Sequence, residues 1–230
     1  LMPEIHRNPE ISDTEKTEVS AFKEIKPETD MTVSDAKSFV DSLFKETQDT
    51  SDGYYNSYET RSSNIPVDGV RGKWEGERGE SKYVPSDETD EGKAAKEKLA
   101  EKDQDGVEYN YAEPDFSESA EATVEIDNMT EHRDDYIDAD GKYQSGNFSQ
   151  ADAKCAEKWN ASNKDGKSDW TAAEVRDWRR ENQCSWHERC DTRTMDLVSR
   201  DIHSYFGHYG GCSECKVRDA VNVDGGGFDE

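Results

Sequence analysis

From Ser185 to Cys215 the chain reads S-W-H-E-R-C-D-T-R-T-M-D-L-V-S-R-D-I-H-S-Y-F-G-H-Y-G-G-C-S-E-C, and this stretch limits the possible folds more than any other. Ser185 to Cys190 suits a first strand, and Asp191-Thr192-Arg193 suits a turn. Thr194 to Ser199 sets Met195, Leu197 and Ser199 on one side, the alternation of a half-buried second strand. Asp201 starts a helix with an apolar side of Ile202, Tyr205 and Phe206, and Gly207 is a natural stop. Two strands and a helix in so short a run make a compact unit. It carries three of the five histidines, His187, His203 and His208; His6 and His132 lie far upstream. A spacing of five does not place His203 and His208 on one face of an unbroken helix. A break at Gly207 lets His208 swing back toward His203.

The rest of the chain is poor in core-forming residues. Apolar residues make up 31% and charged residues 36% of 230 residues. Such a chain cannot bury enough surface to order its whole length, so part of it is expected to be weakly packed. The net charge of -25 argues against general affinity for phosphate backbones and for anionic membrane surfaces. The charge is uneven, however. Lys167 to Ala220 holds 9 Lys+Arg against 10 Asp+Glu, whereas residues 1–166 hold 20 against 41. The histidines therefore lie in the one region that an anionic substrate can approach. No apolar run reaches the ~20 residues of a membrane span, so no membrane insertion is expected. No basic-then-apolar stretch opens the sequence, so no signal peptide is read. Five cysteines are an odd number and argue against a disulfide framework.

Along the chain, residues 1–30 are acidic and without period, and Thr32 to Phe44 has helical spacing at Ala36, Phe39, Val40 and Leu43. Gln48 to Ser63 reads as a linker, with a boundary near Ile65–Pro66. The glycines of Gly69 to Pro85 predict turns, anchored by Trp74, Tyr83 and Val84. Glu91 to Lys102 reads as a solvated helix, Ala122 to Ile126 as a short strand, and Asp134 to Asn147 as a polar loop. Ser149 can cap a helix that runs through Trp159 with Cys155 and Trp159 inward. Thr171 and Glu174 form a capping box, with Trp170 and Val175 as its staple. That helix is expected to bury Val175 and Trp178 and to expose Arg176, Arg179 and Arg180. Asp138 to Gly141 and Asn163 to Gly166 have the look of calcium loops but fail at the first and twelfth positions, so both read as turns. Residues 221–230 read as a flexible tail.

Three imidazoles gathered at one point suit phosphodiester hydrolysis. A divalent ion would stabilise charge on the phosphate and the leaving oxygen, and a base would take a proton from the attacking water. Histidine can do either task, but one ring cannot do both at once. Glu188 could assist as ligand or base, although on an extended strand it points away from His187. Arg179, Arg180, Arg189 and Arg193 are candidates for holding nucleic-acid phosphate, Arg189 and Arg193 above all. A different class of function is also open: Cys184, Cys190, Cys212 and Cys215 could form a structural zinc knuckle in a non-enzymatic interaction protein.

W-H-E at 186–188, T-M-D-L-V at 194–198, D-I-H at 201–203 and F-G-H-Y-G-G at 206–211 together resemble the HNH/endonuclease VII superfamily of bacterial toxin nucleases, in its Trp-His-His or Trp-His-Glu branch. The segment G-K-W-E-G-E-R-G-E-S-K-Y-V-P is also similar to the start of such toxin domains. The resemblance covers roughly 66–220. It implies an α+β fold in which a ββα-metal, HNH-type finger at 185–211 packs on helices behind a largely irregular acidic N-terminal region at 1–65. It implies His187 and Glu188 as the catalytic pair, with His187 the favoured base, and His203 and His208 as metal ligands. The cofactor implied is one divalent ion: Mg²⁺, Mn²⁺, Ni²⁺ or Zn²⁺. The activity implied is that of an endonuclease toxin, with DNA favoured as substrate, delivered or secreted into competing bacteria and neutralised by a cognate immunity protein. A relic that only binds the immunity protein is a third reading. The acidic upstream region departs from the basic character common in nuclease toxins.

Overall fold

The computed structural model describes residues 53–224, with the side chains of 222–224 left aside. The expected helix at Thr32 to Phe44 and the acidic opening of the chain lie outside the described residues. The fold is a mixture of helices and small antiparallel sheets. A short helix α1 (Tyr58–Ser62) precedes a four-stranded sheet in the order β1-β2-β3-β4, made of Gly72–Trp74, Lys82–Pro85, Val107–Asn110 and Glu113–Pro114. Helix α2 (Asp90–Ala100) separates β2 from β3; the Thr89 side chain caps it by accepting from the amide of Gly92. A three-stranded sheet follows, β5 (Ala122–Glu125), β8 (Cys184–Glu188) and β9 (Thr194–Ser199), with β9 in the middle. Between β5 and β8 lie a two-stranded ribbon, β6 (Tyr136–Ile137) with β7 (Tyr143–Gln144), and the helices α3 (Asn147–Ser162) and α4 (Ala172–Glu181). After β9 come α5 (Arg200–Tyr205) and α6 (Gly211–Asp224). No described helix is long and apolar enough to cross a membrane.

The three-stranded sheet divides two apolar cores. One face sets Trp186, Met195, Leu197, Ala122 and Val124 against Phe148, Ala151, Cys155, Trp159 and Val175 of α3 and α4. Alternation along β9 turns Val198 to the other face, where it packs with Ile202 and Phe206 on Phe116, Tyr83, Val107, Tyr109, Ala95 and Leu99. In the first core Asp152 of α3 is buried and accepts two bonds from Arg179 (2.9 and 3.0 Å) and one from Trp186 Nε1 (2.8 Å). That buried charge is paired and bonded, the condition under which burial is tolerated.

Several expectations held. The strand at 122–125, the hairpin, the helix after it and the capping box of Thr171 with Glu174 are all present. The two calcium-like loops are turns, one between β6 and β7 and one a 3₁₀ turn at Lys164–Gly166. Others are corrected. Strand β9 is buried from Met195 to Val198 rather than half-exposed, because it is central. Helix α3 begins at Asn147, before Ser149. Arg179 is buried, since Asp152 receives its guanidinium. Helix α2 buries Ala95 and Leu99 and is not merely solvated. The loop expected at 134–147 contains a ribbon. Helix α6 takes in Val221 to Asp224, the first residues of the expected tail; residues 225–230 lie outside the described part.

The stretch expected to be a linker is, from Tyr54 on, packed structure. The backbone N–H groups of Tyr55 and Asn56 donate to the fully buried carboxylate of Glu214 in α6 (2.5 and 3.0 Å). Arg61, also buried, donates to the carbonyl of Tyr111 at 3.0 Å, and its guanidinium lies 3.7 Å from the centre of the Tyr54 ring. The packed unit therefore starts amino-terminal to the expected boundary at Ile65–Pro66.

Candidate metal centre

Strand alternation decides which groups meet. On β8, Trp186 faces α3 and α4, so His187 faces the second core. His187 pairs across the hairpin with Asp196, which puts both side chains on one face. The helix α5 follows β9 at once and carries His203. At Phe206 the backbone turns extended (ψ 94°), and the chain doubles back. Gly207 permits this because a Cβ there would lie 2.4 Å from the carbonyl oxygen of Asn64. Asn64 Nδ2 in turn donates to the carbonyl of His208 (2.7 Å), and the Tyr109 hydroxyl donates to that of Gly207 (3.0 Å).

The result is convergence of His187, His203 and His208. Their ring centres are 4.7 to 5.5 Å apart, and one nitrogen from each ring lies within 4.8 Å of the others. It is the one group of metal-ligating side chains found among the described residues. His132 is elsewhere, stacked on Tyr136, and His6 lies outside the described residues. Phe116 closes the cluster from within: its ring centre is 4.8 Å from that of His187, 5.8 Å from His208 and 6.0 Å from His203. Sequence reasoning passed over Phe116, whose only signal was an aromatic residue in an acidic loop.

The three rings differ in their hydrogen bonding. His187 is 1% exposed, and neither of its ring nitrogens has a partner. His208 donates from Nδ1 to the carbonyl of Phe206 (2.7 Å), which leaves Nε2 as its acceptor nitrogen. Burial, reinforced by the charges that His208, His203 and Arg189 would oppose to it, holds His187 well below its usual pKa. Burial and then His208 push His203 down to about 3, and burial lowers His208 against the pull of its bond to Phe206. All three rings are thus neutral near pH 7, the form that ligates metal.

Glu188 is not with them. It follows His187 on β8 and faces the other way, where its Oε1 accepts from the Cys212 thiol at 3.4 Å. Burial raises its carboxyl above the usual range. Arg189 forks onto the fully buried carboxylate of Asp196 (2.6 and 3.0 Å), which also accepts from the Thr123 hydroxyl at 2.6 Å. Arg193 is exposed and pairs with exposed Glu125. The four cysteines of the zinc-knuckle reading are dispersed. Cys184 bonds to the carbonyl of Asn182, Cys190 to that of Tyr209, Cys212 to Glu188 and Cys215 to the carbonyl of Met129. Among the described residues no metal-ligand group includes a cysteine, so that reading is corrected. Cys212 and Cys215 share helix α6, whose first turn points them to different acceptors.

No curated protein and no solved structure matches the chain. Residues 106–210 match the family model Colicin-DNase, the DNase/tRNase domain of colicin-like bacteriocins. The matched stretch spans β5, the β8–β9 hairpin, α5 and all three clustered histidines, and this similarity supports a nuclease toxin domain acting on nucleic acid.

Proposed function

We propose that this chain is a metal-dependent endonuclease of the HNH type, a toxin that cuts the phosphodiester bonds of nucleic acid, DNA in preference to RNA. The β8–β9 hairpin and α5 are, in this reading, its ββα-metal finger. The observation that carries it is His187: a buried imidazole with two unpartnered nitrogens, facing two other neutral rings. A buried polar group left without a partner costs ~1–3 kcal/mol, and a shared cation removes that cost. An ion that holds each nitrogen at ~2.1 Å keeps any two within ~4.2 Å, so small ring rotations bring the cluster to that spacing. The ion, one of Mg²⁺, Mn²⁺, Ni²⁺ or Zn²⁺, would supply charge stabilisation to the phosphate and leaving oxygen.

His203 and His208 act as ligands. His187 joins them as the third, which takes it from the role of base, because one ring cannot hold an ion and accept a proton together. The Phe206 carbonyl fixes the tautomer of His208, and Phe116 keeps water from the inner side of the rings. Glu188, turned to the opposite face and bonded to Cys212, does not join the ion's ligands. Arg193 is free to exchange its exposed partner Glu125 for a substrate phosphate, since such surface pairs are worth only ~0–1 kcal/mol. Arg189, locked on Asp196, contributes a fixed positive charge beside the site. Delivery into competing cells and neutralisation by an immunity protein complete the reading; the similarity to colicin-like bacteriocins supports it.

The test is to incubate the full chain with plasmid and tRNA side by side, with each of the four ions and with EDTA. Nicked and linear plasmid should appear with an ion and not with EDTA. Failure to cut either nucleic acid with every ion would overturn the proposal.

A further inference from the structure

A groove lies beside the end of α5, and none of the three histidines lines it. It has a volume of about 450 Å³. Loop 64–71 forms one wall, and the end of α5 forms the other. Its connection to the cluster is direct. Ser204 lines it and follows His203; Gly207 lines it and precedes His208; Asn64 lines it and donates to the His208 carbonyl. Its lining is mostly apolar, with one cation, Arg71, and one acid, Asp68. Val67 and Val70 are 65% and 58% exposed, unusual for valines beside a concave surface. Arg71 lays its guanidinium 4.6 Å from the centre of the Tyr205 ring, and the Tyr205 hydroxyl donates to the Arg71 carbonyl. Most cations among the described residues are tied to carboxylates, as Arg189 and Arg193 are. Arg71 pairs with none among the described residues. Asp68, the acid of the groove, accepts from the Trp74 amide at 2.8 Å.

We infer that this groove receives the nucleotide next to the scissile bond, with its base against Val67 and Val70 and its phosphate on Arg71. The inference rests on the nuclease reading. An arginine held over an aromatic ring can still meet a phosphate with its outward N–H groups, and cation–aromatic platforms of this kind serve single-strand binding sites. Val67 and Val70 discriminate little between bases, so the groove would confer affinity more than sequence preference.

The test measures binding of a fluorescein-labelled single-stranded DNA oligonucleotide to the full chain in EDTA, by anisotropy, at several salt concentrations. Arg71→Ala and Val70→Asp should each weaken binding about tenfold. Arg71→Ala should also lower the slope of log affinity against log salt by about one, the mark of a lost phosphate contact. Arg71→Lys should keep that slope. The inference is overturned if the wild type shows no saturable binding, or if Arg71→Ala and Val70→Asp both bind as tightly as it does. Intact binding without cutting under any ion would instead remove the nuclease reading and leave the groove.

Discussion

Trp186 and His187 are consecutive residues of one strand, and both are buried, yet they enter opposite cores under opposite conditions. On the side of Trp186, the indole N–H, the Arg179 guanidinium and the Asp152 carboxylate satisfy one another. That network fixes α3 and α4 to the sheet and asks for nothing more. On the side of His187, two ring nitrogens meet no partner, and two more imidazoles stand beside the ring. A fold that satisfies its buried polar groups on one face of a strand and leaves them open on the next residue supports the proposal that the second face takes a ligand. Burial alone does not separate a structural polar residue from a functional one; the state of its hydrogen bonds does.

Substitutions on the two faces should therefore separate activity from stability. His187→Ala should reduce metal-dependent plasmid nicking by about a thousandfold, the scale of a lost charge-stabilising ion, while the urea midpoint without metal stays near that of the wild type. Comparable nicking by this variant would show that the open face is not the site. Asp152→Ala should do the reverse. It leaves Arg179 buried and unpaired, which costs about 3–5 kcal/mol, read as a lower urea midpoint. Nicking per folded molecule should hardly change. If Asp152→Ala instead abolishes nicking in protein that remains folded, the two faces are not independent.

The same contrast explains what could be read from the sequence. The hairpin and the stop at Gly207 were legible because local turn chemistry and one glycine dictate them. The capping box at Thr171 was legible for the same reason. The gathering of the three histidines followed once the helix was broken at its end. What was hidden depended on distant partners. Helix α3 starts early because carbonyls of His132 and Arg133 take the amides of Asn147 and Phe148, and no side-chain cap marks that start. Helix α6 was missed because its first turn reads as Gly-Gly and a Cys pair, and its anchor is Glu214, held by residues 55 and 56 from the far end of the unit. Arg179 looked solvated, since only the fold brings Asp152 to it. The separation of Glu188 from His187 was visible in strand alternation, and the structure keeps them on opposite faces.

The open face should also report itself through acid. In the unfolded chain an imidazole takes up a proton near pH 6.5. In the fold, burial holds all three rings lower, with repulsion from the neighbouring rings added for His187 and His203; His203 sits at about 3. The unfolded state then binds more protons than the folded one across that window. Stability contributed by neutral rings is complete above about pH 6.5 and is lost as pH falls toward the folded values, by about 2 kcal/mol for His203 between pH 7.5 and 5. Carboxylates held low in the fold act only further down; Glu174, lowered to about 2 by Lys167 and Thr171, still favours folding at pH 5. The urea midpoint in EDTA should thus fall between pH 7.5 and 5, and His203→Ala should fall less, having one such ring fewer. Equal losses in the two proteins would mean that the rings take up protons inside the fold, and the sharp difference between the faces of β8 would not hold.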